Sequence, residues 1–172
     1  MSRVFPVSVI VSVLVVLGPH TSAWTQPGTG EVLGVRLGPQ LAEVTVPASG
    51  EVREATLLRH VGQEVVLVVR GAFVYSQRPG FPPGQQDAKY RWGSRLAPGA
   101  KVCPPCTDPN VGEAVSFVID GRYREPLRED FGTHTYVYVH RVAPSGAISF
   151  QIRDDNYMDN RGGLQVVVYE RI

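Results

Sequence analysis

From residue 30 onward the apolar positions come in short bursts rich in Val, Ile, Phe and Tyr, each closed by Gly, Pro, Asn or Asp. Within the bursts the alternation is by two. Along Thr135-Tyr136-Val137-Tyr138-Val139-His140, the residues Tyr136, Tyr138 and His140 fall on one side, and Val137 and Val139 on the other. Along 147–152, Ile148, Phe150 and Ile152 take the core side while Ser149 and Gln151 take the water side. The same reading predicts strands at 30–37, 42–46, 54–58, 64–70, 72–76, 114–119, 135–141, 146–153 and 164–170. No stretch sustains a 3.6-residue period over three turns, so the pattern predicts an all-β antiparallel sandwich or barrel. Two connections are long: 77–110, which is rich in Gly and Pro and carries Tyr90, Arg91 and Trp92, and 120–134, of mixed charge. Loops of the first length inside a domain are functional or disordered more often than idle, and its aromatics argue against plain disorder.

The first 23 residues follow another pattern. Arg3 and the amino group give a small positive start, 4–17 is almost wholly apolar, and Thr21-Ser22-Ala23 offers small residues before Trp24. This is the layout of a cleavable signal peptide. The run is shorter than the roughly 18 residues a spanning helix needs. An uncleaved anchor or a buried helix is the alternative, but the β-branched, Ser-containing composition suits a core helix poorly. The expectation is a secreted chain without membrane insertion, whose mature part, 24–172, is one domain. The formal charge is +1 for the whole sequence, and loss of Arg3 takes it to about zero. Affinity for nucleic acid or anionic membrane is built on surplus basic side chains, and there is no surplus.

Cys103 and Cys106 stand in Val-Cys-Pro-Pro-Cys-Thr. An oxidising compartment allows a bridge between them that pins the loop and adds little stability, since the closed loop is small. A redox motif would need a helix start to lower the first thiol's pKa, and Thr107-Asp108-Pro109-Asn110 breaks helices instead. A zinc site would need two further ligands that no second Cys pair supplies.

The stretch with the most chemistry is Arg153-Asp154-Asp155-Asn156-Tyr157-Met158-Asp159-Asn160-Arg161-Gly162-Gly163, between two predicted strands. Carboxylates, carboxamides and intervening carbonyls are the hard oxygen ligands from which calcium takes six to eight. Asp and Asn also favour turns for their own hydrogen bonding, and Arg153 and Arg161 could relieve the crowded charge, so a solvated hairpin turn is the alternative. An EF-hand is excluded, because counting from Asp154 puts Met158 at the fifth position and no Glu at the twelfth.

That loop, followed by Leu164-Gln165-Val166-Val167-Val168, resembles the calcium loop and last strand of the PA-I-type galactophilic lectins. More loosely, Gly71-Ala72-Phe73-Val74-Tyr75 and Ser116-Phe117-Val118-Ile119-Asp120-Gly121 resemble a strand end and a central strand of the same family. The resemblance runs with gaps from Val61 to Ile172, and its specific part is the loop. It implies a jelly-roll-like β-sandwich in which a calcium ion coordinates sugar hydroxyls, with glycans or glycoproteins as partners. Asp154 or Asp155 would then give the first carboxylate, a carbonyl near Asn156 or Tyr157 would follow, and Asp159 and Asn160 would take the place of paired asparagines. Tyr75 would add its backbone oxygen. The sequence departs from the family in a shorter loop, in Asp159 standing for an asparagine, and in having no placeable counterpart of the His and Gln that hold the sugar's outer hydroxyl. Galactose specificity is therefore not carried over.

Tyr75, Tyr90, Trp92 and Tyr157 could stack on a sugar ring or simply pack, and Trp92, among polar neighbours, is the favoured contact, with Tyr157 beside it. His60, His134 and His140 sit in no short metal motif, and neither a Gly-x-Ser-x-Gly elbow nor a phosphate-cradling loop occurs. The expectation is a non-enzymatic, calcium-dependent carbohydrate-binding module. The alternative is an extracellular adhesion or structural module that binds a protein, its Asp/Asn loop ordering only a hairpin.

Overall fold

The run Val65-Val66-Leu67-Val68-Val69 has no polar position in its alternation, so a strand made of it needs cover on both faces. The computed structural model describes residues 30–77, 83–93, 111–114, 116–154 and 157–172, and there the run forms β4 (Glu64–Arg70) with all five side chains buried. Val65, Leu67 and Val69 face the main core, while Val66 and Val68 face a smaller cluster with Leu37 and Val137. A hairpin of β1 (Gly30–Val32) and β2 (Val35–Pro47) covers that second face, with Val32, Leu33 and Val35 packed on it. The hairpin turns at Leu33 and Gly34, both at positive φ, as a tight two-residue turn requires. The single strand expected over 30–37 is therefore two strands and a turn.

One sheet runs in the order β10 (Arg128–Asp130), β11 (Thr135–Arg141), β4, β13 (Arg161–Arg171), β5 (Phe73–Ser76), β6 (Gly84–Gln86), β7 (Tyr90–Trp92), β8 (Gly112–Glu113), with β2 also paired to β13. A smaller sheet sets β12 (Ala147–Ile152) between β3 (Arg53–Thr56) and β9 (Phe117–Ile119). Every pairing is antiparallel. Between the sheets, Phe117, Ile119, Ile148, Phe150 and Ile152 meet Leu67, Tyr136, Tyr138, Leu164, Val166 and Val168, all buried. The fold is an all-β sandwich, as the period-two alternation predicts.

Two features place the functional region. β4 and β5 meet β13 in one continuous register, Arg70 opposite Gln165 and Phe73 opposite Gly162, so the break at Gly71-Ala72 interrupts the strand without shifting it. The stretches read as irregular also hold structure: β6 and β7 lie within 77–110, and β10 within 120–134. The segment 1–23, Cys103, Cys106, Asp155 and Asn156 lie outside the described residues. No helix among the described residues is long and apolar enough to cross a membrane.

Candidate functional site

The β5–β13 pairing ends with Val74 opposite Arg161, so Asp159 and Asn160 lead directly into the strand that meets the end of β5. The Asp/Asn loop thus folds back onto the end of β5, where its 3-10 turn (Tyr157–Asp159) packs. Two bonds fix the pair. The Gln77 backbone N–H donates to Asp159 Oδ2 at 3.3 Å, and Asn160 Nδ2 donates to the Ala48 carbonyl at 2.9 Å. The other oxygen of each side chain, Asp159 Oδ1 and Asn160 Oδ1, is buried and accepts no hydrogen bond among the described residues. Native proteins seldom leave a buried acceptor unsatisfied unless something else fills the place. At the loop's other end the Asp154 N–H donates to the Tyr157 hydroxyl at 2.9 Å. The Tyr157 ring lies against Gly50, where a Cβ would overlap it.

Beside this loop the two sheets part into an open cleft of about 750 Å³. Phe73 and Tyr75 of β5, Gln86 of β6, Arg91 of β7 and Glu113 of β8 form one wall, and Ser116, Gln151, Arg153 and Asp154 the other, with Tyr157 at the loop. Phe73, Gln86 and Arg91 are direct cross-strand partners, so they form one row across the sheet. The opposite wall continues the β9–β12 pairing, because the Arg153 N–H donates to the Ser116 carbonyl at 2.7 Å. Gln86 Nε2, Arg91 Nε and Ser116 Oγ are buried without a hydrogen-bond partner among the described residues.

The wall carrying Gln86 and Arg91 is held by Asp87, which is wholly buried. Its Oδ1 accepts the N–H groups of Lys89 (2.8 Å) and Tyr90 (2.7 Å), closing the turn between β6 and β7. Its Oδ2 accepts the Tyr136 hydroxyl at 2.6 Å and lies 3.0 Å from His134 Nδ1, tying that turn to β11. Burial pushes the carboxyl above the ordinary aspartate value despite these bonds, and burial together with the neighbouring Asp87 charge drives the Tyr136 phenol far up.

Trp92, the side chain favoured from the sequence as a sugar contact, does not line the cleft. Its ring lies flat on His134, centroids 4.7 Å apart, and meets Phe131 edge-on. Tyr75 and Tyr157, with Phe73, are the aromatic side chains at the cleft, while Tyr90 is core, its hydroxyl donating to Glu129 at 2.8 Å. His140 is likewise engaged, its Nε2 2.8 Å from Asp120 Oδ2. Tyr75, Asp154, Tyr157, Asp159 and Asn160 are gathered at one end of the sandwich. Among the described residues no group of three or more His, Cys, Asp or Glu could hold a metal, so a cation here would rely on carboxamide and carbonyl oxygens beside its carboxylates. Gln86, Arg91 and Ser116 were missed from sequence. No signal along the chain marks them, because β6 and β7 have three residues each and Ser116 lies just before β9.

The chain matches no family model and no solved structure. A 71-residue stretch, 41% of the chain, is 38% identical to part of the UvrABC system protein C of Parafrankia sp. (strain EAN1pec). The chain spans a tenth of that protein's length.

Proposed function

We propose that this protein is a secreted, calcium-dependent carbohydrate-binding module. The observation that carries the reading is the pair of buried oxygens, Asp159 Oδ1 and Asn160 Oδ1, left without donors among the described residues, in the loop whose Asp154 and Tyr157 line a polar cleft. A hard dication satisfies such oxygens where a proton donor is missing. The holding set is these two side chains, the carboxylate of Asp154 and the carbonyl oxygens of Tyr75 and Tyr157. Tyr75 and Asn160 adjoin the last β5–β13 pair, Val74 with Arg161, and Asp154 is tethered to Tyr157, which supports drawing on all of them. When bound, calcium supplies open coordination positions for a pair of sugar hydroxyls. The chain's part is to orient the ring, with Tyr75 and Tyr157 offering apolar faces and Gln86, Gln151, Arg91 and Arg153 offering donors. Export is supported by the leader-like pattern of residues 1–23.

The test is calorimetric titration of calcium into metal-stripped protein, beside Asp159→Ala and Asn160→Ala. The expectation is one site in the range of extracellular modules, about 10⁻⁴–10⁻³ M, weakened at least about tenfold in either variant. Glycan screening with and without calcium then follows. No heat from micromolar to millimolar calcium would refute the reading and leave a β-sandwich whose partner is a protein.

A further inference from the structure

We infer that the cleft beside the Asp/Asn loop takes an acidic saccharide, its carboxylate received by Gln86, Arg91 and Ser116. The inference rests on the calcium-dependent reading of that loop and adds the class of sugar. Gln86 is only 5% exposed, and its Nε2 has no acceptor among the described residues. Arg91 Nε and Ser116 Oγ share that condition and line the same cleft. An amide N–H and a guanidinium N–H can only donate, and a hydroxyl can do so. Three buried donors on two facing walls therefore call for an acceptor-rich group between them. A neutral sugar hydroxyl fits poorly, since each brings a proton needing an acceptor of its own. A carboxylate brings two oxygens and no proton, and its plane matches the parallel N–H pair on the Nε edge of an arginine.

The charges agree. Among the described residues, the cleft's acidic and basic side chains are Arg91, Arg153, Glu113 and Asp154, and the phenols of Tyr75 and Tyr157 complete its titratable groups. With the carboxylates of Asp154 and Asp159 balancing the dication, two arginines face one glutamate among the described residues of the cleft, a surplus of one positive charge. A neutral ligand would leave that surplus unanswered. The position also fits: Arg91 and Gln86 stand in one cross-strand row with Phe73, whose next partner is Gly162 at the base of the loop. A ring anchored by its hydroxyls at the loop directs its substituent along that row.

The experiment compares galacturonate and glucuronate with galactose and glucose at saturating calcium, by calorimetry, for the wild type, Arg91→Met and Ser116→Ala. Calcium affinity is measured for all three, so a variant that fails to fold is recognised. At least one uronate should bind about tenfold or more tighter than its neutral counterpart, the scale of a hydrogen bond to a charged group. Each variant should lose most of that preference and keep its calcium affinity. Equal binding of acidic and neutral sugars, or a uronate preference that survives both variants, overturns this inference and leaves the calcium reading standing. Absence of calcium binding in the wild type overturns both.

Discussion

Gly163 is the residue at which the candidate site and the fold can be tested by one substitution. It pairs with Pro47 where β13 meets β2. A Cβ on Gly163 would overlap the Val46 carbonyl oxygen and stand 3.0 Å from Pro47 Cα. Both are backbone atoms in a ladder that continues to Arg171, so neither can rotate away. The strands must part at this end. Parting breaks the bond from the Ala48 N–H to the Gly162 carbonyl (3.0 Å) and moves the Ala48 carbonyl that holds Asn160. Two hydrogen bonds at about 1 kcal/mol each, with an overpacking cost of about 1–3 kcal/mol, put Gly163→Ala at about 3–5 kcal/mol. Gly162→Ala is the control: a Cβ there has room, with Phe73 Cα at 3.8 Å, but φ is +88°. That left-handed backbone alone costs a side chain about 1–2 kcal/mol. Urea unfolding followed by tryptophan fluorescence measures both, and calcium affinity should fall further in Gly163→Ala. A Gly163→Ala protein within about 0.5 kcal/mol of wild type, or more stable than Gly162→Ala, would refute the reasoning.

Other expectations follow from the core and the buried polar cluster. Phe150→Ala removes a wholly buried ring between the sheets and should cost about 3–5 kcal/mol in urea unfolding; a loss below about 1 kcal/mol would mean the sheets close over the gap. Tyr136→Phe deletes the hydroxyl on Asp87 and should cost about 1–3 kcal/mol, and an unchanged midpoint would show the bond to be of no consequence. Because burial raises the Asp87 carboxyl, stability from its protonated form is present below the ordinary value of 3.8 and is lost as pH rises through the folded value. Asp87→Asn should flatten that part of the profile, so a slope identical to wild type would assign it elsewhere. Burial also raises the phenols of Tyr90, to about 12, and of Tyr123, Tyr136 and Tyr138. Their contribution to stability holds below pH 10 and falls as pH rises toward 12, so their phenolate absorbance should appear together with loss of structure. Ionisation of these four phenols near pH 10 with the fold intact would contradict this.

What was legible in the sequence is what depends on neighbours along the chain. Strands over 64–70 and 135–141 were read to the residue, and the inward set Ile148, Phe150 and Ile152 is buried as read, because alternation is a local signal. The Asp/Asn loop stood out for the same reason, as oxygen-bearing residues crowded into one turn. Strands β6, β7, β8 and β10 have two or three residues each, too few to show a period, and exist through their partners. Asp87 drew no attention because its partners His134 and Tyr136 lie 47 and 49 residues away. The cleft donors come from two strands and a loop end, and only the topology brings Gln86, Arg91 and Ser116 together. Trp92 was favoured for its polar neighbours in sequence, and its neighbours in space are Phe131 and His134.

β13 serves β2, β4 and β5 at once, and all three precede it in the chain. On the ribosome they are made with the slot between them empty, so neither the large sheet nor the loop end of the cleft can close until residues 161–171 have emerged. Chains stalled before β13 should be cut readily by added protease, and those stalled well after it should resist; protection already in the shorter chains would show that the sheet forms without its central strand.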